Sequence, residues 1–362
     1  MWWIWLIYVV LLVVMTFLSI LIARFVDALD KKTNMSGGFL GGILLAGVTS
    51  LPELITSLSA ILLLGNADMT FGNILGSNFF DVAVIGVCML CMFSIVKKSK
   101  LSKNTGILMF LGFFVTLIIL LFNIFKLNWV IPGVNIHALA IIFVACYVFV
   151  VILSGKKDDI EKEAEPEKET KISSMSVKQI VLWFILSAIA LIAVSVGITY
   201  ATDFIASSYN IGSSIAGAIF LGVATSLPEV ITCVELTRLK NFNMAINDIY
   251  GSIMFNLLIL TIADIFFFKG TIFSFNVQTL YMTSFMTGII GISLIVYLLK
   301  RKSVKIANSG GFYMIVGGVM TSAYFLCMIL SALWWKNRNF ELITVDNFWK
   351  MWITSAFFVY LY

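Results

Sequence analysis

Residues 41–56 read GGILLAGVTSLPELIT, and residues 217–232 read GAIFLGVATSLPEVIT. Ten of the sixteen positions are identical, including all of Thr-Ser-Leu-Pro-Glu. A second pair follows the first: GNILGSNFFD ends at Asp81, and NDIYGSIMFN ends at Asn256. Glu53 and Glu229 lie 176 residues apart, and Ser77 and Ser252 lie 175 apart. Two segments repeating at offsets one residue apart mark an internal duplication, which sets the architecture before any single residue is interpreted.

The rest of the chain shows what surrounds these segments. Of 362 residues 60% are apolar, 31 are Phe, and only 12% are charged, about half the share usual in soluble domains. Too few polar groups remain to cover a water-facing surface. That excludes a cytosolic enzyme, a secreted disulfide-stapled domain and a nucleic-acid binder. The five cysteines all sit in apolar runs and form no disulfide framework; Cys88-x-x-Cys91 reads as packing. Gly, Pro, Asn and charge clusters divide the chain into ten runs long enough to span a bilayer: 3–26, 38–64, 70–96, 106–125, 131–154, 179–203, 212–236, 243–268, 275–299 and 310–335. The first has no basic leader or cleavage site and reads as a retained helix.

Lys and Arg give the orientation. Alternate connections hold 19 of them on one side and 5 on the other. The positive-inside rule therefore places 155–178 in the cytoplasm and both termini outside. The net charge of +5 is accounted for as an insertion signal. Residues 155–178, with GKKDDIEKEAEPEKETK, read as a solvated linker. The organisation expected is a first five-helix repeat over 1–154, the charged linker 155–178, a second repeat over 179–335, and a non-cytoplasmic tail 336–362 suited to the interface. Five spans per copy turn the second upside down. The fold class expected is thus an all-α membrane protein of ten transmembrane helices in two inverted five-helix repeats, with ion chemistry at the midplane where the copies meet.

The duplicated residues suit a hard cation. Pro52 lacks an N–H and its ring crowds the carbonyl of Val48; Pro228 does the same to Ala224, with Gly47 and Gly222 weakening those turns. Carbonyls near 46–49 and 222–225 then need other partners, which lipid does not supply. Thr49, Glu53 and Ser57 are spaced four apart, as are Thr225 and Glu229. Asn73, Ser77 and Asp81 form a stripe of the same period, matched by Asp248, Ser252 and Asn256. Carboxylate, hydroxyl, amide and carbonyl oxygens are the ligands of Ca²⁺ or Na⁺. No His or Cys joins this set, which argues against a dedicated Zn²⁺ or Cu⁺ site. An ionisable group at the bilayer centre costs roughly 2.5–3.5 kcal/mol, so three of them (Glu53, Asp81, Glu229) exceed what a role as hydrogen-bonding glue between helices explains.

These paired segments resemble the α-repeats of the sodium/calcium exchanger family, and its prokaryotic members most closely. The resemblance spans all ten runs and the central loop. It implies exchange of Ca²⁺ for Na⁺ by alternating access, with no cofactor, in a prokaryotic plasma membrane. Carried over by motif, it makes Glu53 and Glu229 the central Ca²⁺ ligands, Thr49 and Thr225 carbonyl or hydroxyl ligands, and Ala46 and Gly222 carbonyl ligands. Ser50 and Ser226 stand beside the threonines, Ser77 and Ser252 serve flanking Na⁺ sites, and Asp81 and Asn256 close the centre. Two departures follow. The family implies the amide of that last pair in the first copy and the acid in the second, the reverse of this chain. Ile253 stands where the first copy has Asn78, a further site residue. A Ca²⁺/H⁺ or K⁺-assisted exchanger of the same fold is the alternative; a cation channel is more remote, because clustered carboxylates favour tight binding over fast release. An intramembrane hydrolase lacks its residues: the one histidine, His137, reads as a surface residue in an outward loop.

Overall fold

A computed structural model describes residues 2–33, 49–131, 136–154, 175–273 and 275–336. These residues are almost wholly helical. The first half contains α1 (Trp2–Thr33), α2 (Leu51–Leu62), α3 (Ala67–Cys91), the short α4 (Phe93–Lys98), α5 (Lys103–Ile124) and α6 (Leu139–Ser154). The second contains α7 (Val177–Ser208), α8 (Ser213–Thr225), α9 (Leu227–Arg238), α10 (Phe242–Phe266), α11 (Val277–Arg301) and α12 (Gly310–Lys336). Among the described residues seven helices are long and apolar enough to cross a membrane, or eight if the bent pair α8–α9 is one span. The chain is an integral membrane protein. α2 and α6 are shorter, and residues 34–48, which precede α2 and include Ala46, lie outside the described residues. So do 155–174 of the linker and 337–362 of the tail. The end of the expected linker is already helix: Ser176 caps α7, accepting from the Gln179 N–H, and the Gln179 side chain accepts from the Ser176 N–H.

The duplication is visible in the elements. α1 and α7 have 32 residues each, α2 and α9 have 12, and α3 and α10 have 25. The turns between them match as well. Gly65 and Lys240 take left-handed φ values of 64° and 66°. Asn66 and Asn241 then cap the next helices, accepting from Met69 and Met244 N–H at 3.0 and 3.3 Å.

Matched helices run in opposite directions. Near the start of α1, the Trp5 indole donates to the Tyr209 hydroxyl just past the end of α7 at 3.0 Å. At the other end Lys32 donates to the Met175 carbonyl. Likewise Asn123 near the end of α5 donates to Thr279 near the start of α11 at 2.9 Å, while Gly106 faces the Tyr297 ring near its end. Three of the Lys/Arg-bearing connections meet: Ser102 N–H donates to Asn243 at 2.8 Å, Lys300 to Ser99 at 3.2 Å and Arg301 to the Leu101 carbonyl at 3.2 Å.

The core of the described residues divides into two large clusters and a small one around Phe25, Ala28 and Ile180. The larger cluster joins α3, α5, α6, α10, α11 and α12. A second unites α1 and α7, through Met15, Ile22, Leu191 and Ile198, with Ala60, Met69, Leu221 and Ala224 on the helices of the repeat segments. The outer faces of α1 and α7 expose Val10, Val13, Phe17, Leu182, Ile185 and Ile189, as lipid contact requires.

His137 departs from expectation: it is fully buried. Its N–H donates to Asp264 at 2.7 Å, and the same carboxylate accepts from the Thr271 hydroxyl at 2.8 Å and the Ile272 N–H at 2.9 Å. The ring lies 4.6 Å from that of Phe273, and burial pushes its pKa below the usual histidine value. Local sequence gave no sign of a partner 127 residues away.

Candidate cation site

Ser50 and Ser226 share one backbone conformation, φ −89° and ψ 13° against φ −85° and ψ 1°. Each precedes a helix whose second residue is the proline, and in the second copy, where the preceding helix is described, that helix cannot continue through it. α8 and α9 consequently meet at 49°. The restart places Glu53 and Glu229 in the first turns of α2 and α9, where the helix dipole favours negative charge. A π-helical turn over Gly217–Gly222, which the sequence did not announce, precedes the second break. The Thr225 hydroxyl donates to the Leu221 and Gly222 carbonyls at 3.0 and 3.3 Å. The Gly222 carbonyl also accepts from the Ser226 N–H at 3.2 Å.

α3 lies against this turn backbone to backbone. A Cβ on Gly76 would stand 2.3 Å from Ala218 Cα, and one on Gly222 would stand 2.6 Å from the Ser77 nitrogen. The missing side chains admit the contact that follows: Ser77 and Ser226 share a hydrogen bond. Ser50 and Ser252 share another at 3.2 Å. It is the same contact with the two copies exchanged. Ser77 also donates to Glu53 Oε1 at 3.4 Å, and the Asn256 amide donates to Asn78 Oδ1 at 2.8 Å.

Thr225 lies beside Glu53, and Ser226 beside Asp81. Glu53, Asp81 and Glu229 are close enough for their charges to act on one another. Glu53, Asp81 and Asn256 are 0% exposed and Glu229 2%. The structure thus brings together Glu53, Glu229, Asp81, Asn256, Asn78, Thr225 and the four serines. Thr49 stands next to Ser50 at the first break; Ala46 is outside the described residues.

Ten buried side-chain atoms lack a hydrogen-bond partner among the described residues. Seven are acceptor oxygens of this cluster and its stripe: Glu53 Oε2, both oxygens of Asp81 and of Glu229, Asn256 Oδ1 and Asn73 Oδ1. Buried acceptors without donors are costly, and a cation or a proton is what satisfies them. Among the described residues no three His, Cys, Asp or Glu side chains converge on one metal position. A site here draws on hydroxyl, amide and carbonyl oxygens besides its acids, as hard cations accept.

Beyond the centre the copies differ. The buried Asn73 amide donates to the Thr56 and Ser57 hydroxyls at 3.0 Å each; Thr56 was not anticipated, although its place three residues after Glu53 marks that helix face. The counterparts are Asp248, Thr232 and Cys233. Asp248 is partly exposed and acts electrostatically on Asp81 and Glu229.

The sequence matches the family model described as sodium/calcium exchanger protein over residues 2–156 and 179–333. No curated protein matches it. Among solved structures, the Ca²⁺/H⁺ antiporter protein YfkE shares 15% identity over 90% of this chain and 91% of its own, with a TM-score of 0.63. The H⁺/Ca²⁺ exchanger CAX shares 13% over 91% and 88%, TM-score 0.63. The sodium-calcium exchanger NCX_Mj shares 16% over 89% and 96%, TM-score 0.55. At such identities the likeness is one of fold.

Proposed function

The chain belongs to the sodium/calcium exchanger family, and from that premise we propose that it exchanges Ca²⁺ for Na⁺ by alternating access at the Glu53–Glu229 site. Membership makes it a membrane transporter that exchanges calcium, not an enzyme. The observation carrying the finer reading is the set of six unpartnered acceptor oxygens on Glu53, Asp81, Glu229 and Asn256. Three carboxylates carry a charge of −3, which three Na⁺ neutralise, and which one Ca²⁺ and one proton neutralise equally. An uncompensated buried charge costs several kcal/mol, so the empty site resists reorientation and the ions must alternate. The α1–α7 pair, joined to the repeat helices through its own apolar cluster, is the element that slides across the larger core. The reading includes ten spans in two inverted repeats, both termini outside, the charged loop in the cytoplasm and a prokaryotic plasma membrane. Site roles follow the residues named above: Glu53 and Glu229 for Ca²⁺, the serines and threonines for flanking ions, and Asp81 and Asn256 closing the centre.

A second reading has equal standing: H⁺ as the counter-ion. Two observations favour it. The fold is shared with structures described as H⁺/Ca²⁺ exchangers, and both oxygens of Asp81 are unpartnered. Ca²⁺ uptake into vesicles loaded with Na⁺ separates the two. Uptake should require the outward Na⁺ gradient and respond to membrane potential. Uptake driven by a proton gradient with Na⁺ irrelevant moves the chain to the proton-coupled class. Asp81→Asn refines the result: unchanged Na⁺ coupling with an altered pH profile makes Asp81 a proton carrier.

A further inference from the structure

Cys88 and Cys233 sit in different copies, on α3 and α9, yet their sulfurs are 3.9 Å apart. Both are fully buried and both are free thiols. Cys91, the partner suggested by spacing alone, is exposed. A disulfide needs about 2.05 Å, so these thiols share a weak S–H···S hydrogen bond and no disulfide. Two thiolates on one tetrahedral ion, at about 2.3 Å each, stand about 3.8 Å apart. The observed separation is therefore already that of a shared metal.

The surroundings put such an ion beside the acids. Cys233 lies one turn beyond Glu229 on the same face of α9, and the charges of Asp248 and Asp81 reach it. Asp248 is partly exposed. Thr237 lies beside Cys88 and is itself buried, adding a hydroxyl. Among the described residues no third His, Cys, Asp or Glu completes the group. A structural zinc site is closed by four ligands; this one leaves positions for water or the Thr237 hydroxyl and suits capture of a passing ion.

We infer that Cys88 and Cys233 form a soft-metal site, which takes a thiophilic divalent cation from the transport path and, one turn beyond Glu229, obstructs that path. The arrest of transport rests on the proposed function; the binding does not. Cd²⁺ is the probe, added to full-length, reductant-treated protein. In detergent, one Cd²⁺ per chain should bind with the ultraviolet absorption of thiolate–Cd²⁺ bonds, and Cys88→Ser/Cys233→Ser should lose that absorption while Cys91→Ser keeps it. In proteoliposomes the double variant should transport Ca²⁺ as before and need more Cd²⁺ for half-inhibition, by more than roughly tenfold, the lower scale even for an outer partner of a metal. No thiolate absorption in the unaltered protein overturns the site, whether or not Ca²⁺ is transported. Equal Cd²⁺ sensitivity in the double variant overturns the arrest and leaves Cd²⁺ competing at the glutamates alone.

Discussion

Asn73 and Asp248 occupy equivalent places in the two copies, 175 residues apart, and their surroundings differ in kind. Asn73 is buried and its amide ties Thr56 to Ser57. Asp248 is partly exposed and is opposed by Cys233 where the first copy has Ser57. One turn inward the difference vanishes: Ser77 meets Ser226, and Ser252 meets Ser50. Where both copies contribute to one site, a residue answers to its own copy and to the other. Further out the roles part: the Asn73 amide bonds within its own copy, whereas the Asp248 charge acts on acids of both. The second copy's end carries a charge; the first copy's is neutral and closed by hydrogen bonds.

The central symmetry yields the largest expected effect. Glu53→Gln and Glu229→Gln keep shape and remove one charge each. Losing a charged partner from a buried cluster costs about 3–5 kcal/mol, so each variant should lose Ca²⁺ exchange by at least about a hundredfold, measured as isotope uptake. Near-normal exchange in either one breaks the equivalence of the two breaks and the site with it.

Next is Asn73→Asp, which gives the first copy the second copy's residue. A carboxylate cannot donate, so the bonds re-form only if the hydroxyls donate instead, Thr56 giving up its own bonds to the Pro52 and Glu53 carbonyls, while a charge is buried among them. The cost should be about 3 kcal/mol, seen as a lower unfolding temperature in detergent. A stable Asn73→Asp protein would mean that the hydroxyl knot is incidental and the two ends are interchangeable.

The breaks, the acids in the first turns and the serine stripes were legible in the sequence because each follows from local chemistry. Proline ends a helix wherever it falls, and a spacing of four fixes a face. The antiparallel contacts of α1 with α7 and of α5 with α11 agree with the inversion expected of the second copy. What was hidden depends on contacts between distant segments. The π-helical turn over Gly217–Gly222 answers to packing against α3 and has no composition of its own. The burial of His137 depends on Asp264, and the approach of Cys88 to Cys233 on the way α3 crosses α9. One signal was available: Cys233 follows Glu229 by four residues, so it had to share the face of the acid.

A smaller effect tests the close approach that sets the central symmetry. Gly76→Ala would place a methyl against the backbone of Ala218, at 2.3 Å before relaxation. Overpacking of this kind costs about 1–3 kcal/mol. Gly288→Ala, with nothing within 4 Å of its added methyl among the described residues, should leave the unfolding temperature nearly unchanged. Equal behaviour of the two variants would show that α3 and α8 are free to separate, and the serine pairs with them.

The smallest effect belongs to Asp248→Asn, which makes the open end as neutral as the closed one. Asp248 is partly exposed as a residue, so its pull on an arriving cation is worth about 1 kcal/mol, roughly fivefold in apparent Ca²⁺ affinity. Folding should be unaffected, since no hydrogen-bonded knot depends on it. Salt distinguishes this attraction from a direct ligand bond. A partly exposed charge is screened within about 10 Å at 0.1 M salt, so the affinity gap between the unaltered protein and Asp248→Asn should narrow as inert salt is added. A gap that persists undiminished makes Asp248 a direct ligand, and the asymmetry between the two copies then reaches into the ion site itself.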